Sequence, residues 1–160
     1  MSRINISISS QQLELIDDDE IVISRYSVST SKNGPGEVNG SFCTPRGRHI
    51  IRAKIGAGAP PGTVFVKRRA TGEIYSSDLA DISDKRDWIL TRILWLSGCE
   101  LGFNRMGRVD TMRRCIYIHG SPDHVPIGRP GSIGCIRMRN ADIIELFDQI
   151  AVGTEVTIKE

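Results

Sequence analysis

Turn-forming residues divide this chain into short segments, and this pattern limits its fold more strongly than any other feature. Its 16 glycines and 7 prolines stand with Asn, Ser and Asp between short apolar runs. Within most of these runs apolar and polar residues alternate, which is typical of half-buried β-strands. The segments with this pattern are INISIS, LELI, IVISRYSVST, IIRAKIG, TVFVKRR, CIYIHG and TEVTI. We therefore expect a mainly β fold.

Two segments carry apolar residues at the spacing of a helix instead. Residues 84–97, DKRDWILTRILWLS, contain enough apolar side chains for a broad buried helix face. In residues 141–151, Ile143, Phe147 and Ile150 recur at helical spacing before Gly153 ends the pattern. The sequence thus predicts two helices, at about 84–97 and 141–151, packed on the sheet.

Length and charge exclude several classes of protein. The chain of 160 residues is long enough for one sizeable core, so we expect a single domain over residues 1–160. Its 21 basic and 19 acidic residues are scattered, without the basic stripe of a nucleic-acid surface. The N-terminal segment has no apolar run that could serve as a signal peptide or membrane anchor. We expect a cytosolic protein that binds neither nucleic acid nor membrane.

Four cysteines, at positions 43, 99, 115 and 135, are spread over the chain without a C-x-x-C pair. This spacing fits neither a zinc site nor a dithiol redox motif, so we expect no metal and no cofactor. Cys43, Cys99 and Cys115 are interpreted as small buried hydrophobic residues.

Cys135 differs because a histidine strand precedes it. In CIYIHG, His119 shares a strand face with Cys115 and Tyr117, and the following loop reaches Cys135 16 positions later. Such a loop can bring an imidazole close enough to a thiol to generate a nucleophilic thiolate. Gly134 allows a sharp turn in which the amides of Gly134 and Cys135 could form an oxyanion hole. On these residues alone, a packing cysteine and a surface histidine remain the alternative.

The wider pattern resembles the YkuD-type L,D-transpeptidase family. The resemblance rests on IYIHG, a variable loop, S-x-GCIRM-x-N-x-D, an apolar helix and VGTEVTI, together with YSVSTSKNGPGE, TPRGRHII and LTRILWLSGCELGFN upstream. It implies a mainly β, sandwich-like catalytic domain. The implied reaction is cleavage of the bond between an L-centred diamino acid and the terminal D-alanine of a peptidoglycan stem tetrapeptide.

The resemblance also implies roles for single residues. Cys135 would be the nucleophile, His119 the general base, and the Gly120 carbonyl the group that orients the imidazole. Arg137 matches the family's arginine and could either recognise a substrate carboxylate or bond loop carbonyls. Ser132, which fits a loop-fixing role better, and Tyr117 complete the candidate substrate-binding residues.

One position departs from the family pattern. Many members carry a histidine two places before the nucleophile, where this chain has Ile133. His124, in the loop before the cysteine, is interpreted as solvent-facing, and His49 as structural.

Three functions remain open on this basis. Water could resolve the thioester, which would make the protein an L,D-carboxypeptidase acting on soluble muropeptides or precursor stem peptides during murein recycling. An amine of a second stem peptide would make it a cross-linking L,D-transpeptidase. A non-catalytic muropeptide-binding module is the third reading, although binding alone needs no nucleophile. The absence of an apparent leader and Ile133 favour the carboxypeptidase, and carbapenem-type β-lactams are expected to acylate Cys135.

Overall fold

The computed structural model describes residues 1–82 and 86–160 and is mainly β, as predicted. Its elements are β1 (Arg3–Ser7), β2 (Gln12–Ile16), β3 (Val22–Ser27), β4 (Gly47–Ile55), β5 (Thr63–Val66), β6 (Arg69–Ile74), α1 (Ser77–Ile82), β7 (Ile89–Gly98), a 3-10 turn (Gly107–Val109), β8 (Tyr117–Gly120), β9 (Ile136–Met138), α2 (Asn140–Gln149) and β10 (Glu155–Lys159).

The strands form one branched sheet. Its main path runs β3-β2-β1-β10-β4-β7-β5-β6, and β8 leaves this path by pairing with β7 and then with β9. Most neighbours are antiparallel, but β1 pairs with β10, and β8 with β9, in parallel. The main core contains apolar side chains from β1, β2, β8, β9 and β10, together with those of α2. This arrangement places the histidine strand and the segment after the cysteine side by side.

The prediction of a helix over 84–97 was wrong. Residues 89–98 form the strand β7, which pairs with β4, β5 and β8, while residues 84 and 85 lie outside the described residues. Nearly every side chain of β7 is buried or half-buried, because other parts of the chain cover both faces. A strand buried on both faces has no polar alternation, so its apolar run resembles that of a buried helix.

The second predicted helix is present, and α2 runs over Asn140–Gln149. Its apolar side chains at Ile143, Leu146 and Phe147 are buried against the sheet. The other helix, α1, is a short segment that the sequence pattern did not indicate. Within the described part of the chain, no helix is long and apolar enough to cross a membrane.

Candidate active site

The parallel pairing of β8 and β9 brings the predicted cysteine and histidine onto one face of the sheet. His119 stands opposite Arg137 in this pairing. Tyr117 and Cys135 each lie two residues earlier on their own segment, so all four side chains point to the same side. The residues between them, including Ile118 and Ile136, belong to the core on the opposite face.

A tightly bonded turn presents Cys135. Gly134 has φ +135°, a conformation that side-chain-bearing residues rarely adopt. The Ser132 hydroxyl donates to the Cys135 carbonyl at 2.6 Å, and the Thr44 hydroxyl donates to the Gly134 carbonyl at 2.9 Å. These bonds match the predicted loop-fixing role of Ser132. The Gly134 N–H donates to Ser132 Oγ at 3.2 Å, so its role in an oxyanion hole stays a prediction.

His119 is held in one tautomer. Its ring is fully buried, and Nδ1 lies 2.6 Å from the Gly120 carbonyl. Because a carbonyl only accepts, Nδ1 carries the proton, and the neutral ring then has its lone pair on Nε2. Among the described residues Nε2 has no hydrogen-bond partner. Burial lowers the pKa of His119 below its ordinary value, so the ring is a neutral base with a free lone pair.

The Cys135 thiol is also neutral at rest. Only 9% of the residue is exposed, and burial raises its pKa to about 12. The S–H donates to the Cys115 carbonyl at 3.4 Å, while the Tyr117 N–H donates to Sγ at 3.3 Å. The thiol is thus bonded to backbone and not to His119. Forming the thiolate requires Sγ to turn from the Cys115 carbonyl and pass its proton to the imidazole.

Arg137 makes the contacts expected of a structural arginine. Its guanidinium donates to the Gly131 carbonyl at 3.0 Å and to Asp87 Oδ1 at 3.1 Å. Asp87 was missed by the sequence analysis, although its charge acts on the pKa of both His119 and Cys135. The incorrect helix assignment hid it, because Asp87 falls within the predicted helix 84–97, whereas in the structure it lies two residues before β7, which pairs with the histidine strand.

The other histidines lie outside this cluster. His49 is buried, with Nδ1 3.0 Å from the Gly47 carbonyl and Nε2 3.0 Å from the Thr111 hydroxyl, as a structural residue would be. His124 is exposed, and its Nδ1 lies 3.4 Å from the Tyr75 hydroxyl, away from the cysteine.

Cys135 opens into a cavity of about 520 Å³. Ile133 lines this cavity and is 44% exposed. Tyr117 lines the wall, and Arg68 donates to its hydroxyl at 2.8 Å. Arg68 and Arg114 were not identified as site residues from the sequence, because they come from a hairpin turn and from the segment before β8. Within residues 1–82 and 86–160, no group of His, Cys, Asp or Glu side chains could hold a metal ion.

Curated proteins with related sequences match parts of this chain. YqjB of Bacillus subtilis is 40% identical over 60 residues, which cover 38% of this chain and 32% of YqjB. ErfK/SrfK of Escherichia coli is 51% identical over 45 residues, which cover 28% of this chain and 14% of that protein. The names of both assign them to the L,D-transpeptidases.

Solved structures share the fold over nearly the whole chain. The L,D-transpeptidase from Mycobacterium smegmatis has a TM-score of 0.58 at 16% identity, covering 99% of this chain and 58% of that one. L,D-transpeptidase 3 from Mycobacterium tuberculosis, in complex with a faropenem-derived adduct, has a TM-score of 0.59 at 14% identity, covering 99% of this chain and 60% of that one. This chain therefore spans less than two thirds of these structures. Since a model of the L,D-transpeptidase catalytic domain, YkuD, matches residues 1–158, the chain belongs to that family.

Proposed function

We propose that this domain is a cysteine-dependent acyl-transfer enzyme acting on peptidoglycan stem peptides, with Cys135 as nucleophile and His119 as general base. The observation that carries the proposal is the free Nε2 of His119. A buried polar atom without a partner is rare and costs stability, so a catalytic role would explain why it is retained. Here it belongs to a neutral imidazole on the same sheet face as a thiol.

The proposed reaction begins with transfer of the Sγ proton of Cys135 to Nε2 of His119. The sulfur then attacks the carbonyl carbon before the terminal D-alanine. The resulting imidazolium is stabilised by the Gly120 carbonyl at Nδ1. As the C–N bond breaks, His119 returns the proton to the departing amine, and a Cys135 thioester remains.

We further propose that water resolves this thioester, so that the protein is an L,D-carboxypeptidase. His119 would take a proton from the attacking water, and hydrolysis would regenerate the thiol. Ile133 supports this choice because an apolar side chain in the cavity lining cannot position or deprotonate an incoming amine. Soluble muropeptides are the proposed substrates.

The decisive assay incubates the protein with a disaccharide tetrapeptide and identifies the products by mass, with and without excess acceptor peptide. We expect tripeptide and free D-alanine, with little cross-linked dimer. Dominant dimers at high acceptor concentration would instead identify a transpeptidase. Comparison with intact sacculi tests the preference for soluble substrate.

His119→Ala is expected to reduce turnover nearly as far as loss of the thiol, because the base acts in both half-reactions. His124→Ala is the matched control and should retain activity, since this ring contacts Tyr75 outside the cavity. Equal losses in the two variants would contradict the assignment of the base.

β-Lactams are proposed ligands of the same thiol. The related Mycobacterium tuberculosis enzyme is described with a faropenem-derived adduct. A strained amide carbonyl offers Cys135 the same electrophile as the peptide bond.

A further inference from the structure

The cavity beside Cys135 carries more positive charge than its own residues neutralise. Three cations line it, Lys67, Arg68 and Arg114, against one carboxylate, Asp87. Asp87 is already bonded to the guanidinium of Arg137 at 3.1 Å. Neither Arg68 nor Arg114 forms an ion pair with a carboxylate among the residues that the structure describes.

Arg68 is held in place without an anionic partner. It lies with Lys67 in the turn between β5 and β6, where both residues have positive φ angles, of 64° and 49°. Its guanidinium stacks 4.5 Å from the centre of the Trp95 ring and donates to the Tyr117 hydroxyl at 2.8 Å. Stacking and hydrogen bonds from Nη1 to two neutral acceptors, the Tyr117 hydroxyl and Cys115 Sγ, fix the orientation of the guanidinium but leave its other donors free.

Arg114 is fixed by backbone carbonyls. It donates to the carbonyls of Cys43 at 2.6 Å and Gly36 at 3.2 Å. The nearby carboxylate of Glu37 is engaged by Arg46 at 3.0 Å. Burial lowers the pKa of Arg114, as expected for a cation that is partly removed from water, although the charge of neighbouring groups, Glu37 among them, opposes the shift.

Cys115 links the cationic end of the cavity to the nucleophile. Its Sγ lies 3.6 Å from Arg68 Nη1, and its carbonyl accepts from the Cys135 thiol at 3.4 Å. Cys115 therefore contacts both the guanidinium and the nucleophilic sulfur, and a short stretch of extended peptide could span the gap between these two groups.

We propose that Arg68 and Arg114 form a carboxylate subsite, so that the enzyme selects acyl donors with a free carboxylate close to the scissile bond. The use of this subsite in selecting substrates rests on the proposed function. The carboxylate could be the C-terminal one of the leaving residue or one on the side chain of the diamino residue. The chemistry is the same in both cases, since a guanidinium fork binds a carboxylate with charge-assisted hydrogen bonds.

The first experiment does not depend on catalysis. Cys135 is alkylated with iodoacetate, which is anionic, or with iodoacetamide, which is neutral, and the modification is assigned to this cysteine by peptide mass. The measured quantity is the rate of alkylation by iodoacetate divided by the rate of alkylation by iodoacetamide. We expect Arg68→Gln and Arg114→Gln each to lower this ratio at least about threefold, and added salt to lower it in the unmodified protein.

Two sets of variants separate charge from structure. Arg68→Lys and Arg114→Lys keep the positive charge and should restore most of the ratio even if packing changes. Arg52→Gln is the matched control, because Arg52 lies 5.7 Å from the same Trp95 ring but does not line the cavity. The proposed subsite would be overturned if the alkylation ratio were the same in all variants. It would also be overturned if Arg52→Gln changed this ratio as much as Arg68→Gln and Arg114→Gln do.

The second experiment identifies the source of the carboxylate. Tetrapeptides are compared with a carboxamide at the C-terminus or on the diamino side chain. Amidation at one of these positions should lower kcat/KM at least about tenfold in the unmodified protein. In Arg68→Gln, kcat/KM should be about the same for the acid and the amide. No effect at either position would overturn the proposed selection. Turnover of no peptide would overturn the proposed function, and the alkylation ratio would still decide whether the anion subsite exists.

Discussion

Replacing Gly134 with alanine should damage both the fold and the site. The backbone there has φ +135°, which lies outside the regions that alanine adopts. A Cβ at this position would also lie 3.1 Å from Ile116 Cδ1 and 3.4 Å from the Cys43 carbonyl oxygen. The turn cannot simply relax, because the Gly134 carbonyl accepts from Thr44 and the preceding Ser132 is bonded to the Cys135 carbonyl.

Backbone strain of this kind costs about 1–3 kcal/mol. For a domain of this size, a loss of about 2 kcal/mol lowers Tm by roughly 4–8 °C. If the strain instead shifts the cysteine by about 1 Å, turnover should fall by about 100-fold, because misplacement of a reacting group by that distance has such an effect.

Thermal and denaturant unfolding of Gly134→Ala measure the stability, and the tetrapeptide assay measures turnover. Gly131→Ala is the matched control in the same loop. Its Cβ would lie 3.4 Å from Ser29 Oγ, an ordinary contact, and its φ is not positive, so we expect a change within about 0.5 kcal/mol. If Gly134→Ala is as stable and as active as Gly131→Ala, the argument from backbone strain is wrong.

Three further predictions concern single side chains. Cys135→Ala should abolish turnover and leave the fold intact, whereas Cys99→Ala should change stability at most; an active Cys135→Ala protein would exclude this thiol as the nucleophile. A carbapenem should add covalently to Cys135, as intact-protein and peptide mass would show, and an adduct on another cysteine would count against the site. Burial lowers the pKa of His49 to about 4 despite nearby Glu100, so the unfolded chain binds more protons between pH 6.5 and 4. The unfolding free energy should therefore fall by up to about 3 kcal/mol as the pH is lowered through this window, and equal pH dependence in His49→Gln would refute that cause.

Local sequence pattern was sufficient for much of the fold. The strands β1, β2 and β10 each have one face on the core, and α2 has one apolar stripe, so their periodicity could be read directly. The pair of Cys135 and His119 could be found for a similar reason. Their motif is compact along the chain, and Ser132, which bonds to the Cys135 carbonyl, lies in the same turn, although Thr44 also holds that turn from a distant part of the sequence.

Long-range pairing decided what local pattern could not. The segment 89–98 became β7 because β4, β5 and β8 pair with it and both of its faces are covered, which removes the alternation that marks a strand. The same pairing placed Asp87 beside the site. It also brought Arg68 and Arg114, which lie far apart in sequence, into one cavity with Cys135. Tertiary structure likewise set the protonation of the site, because burial keeps the His119 ring and the Cys135 thiol neutral, and burial depends on packing from the whole chain.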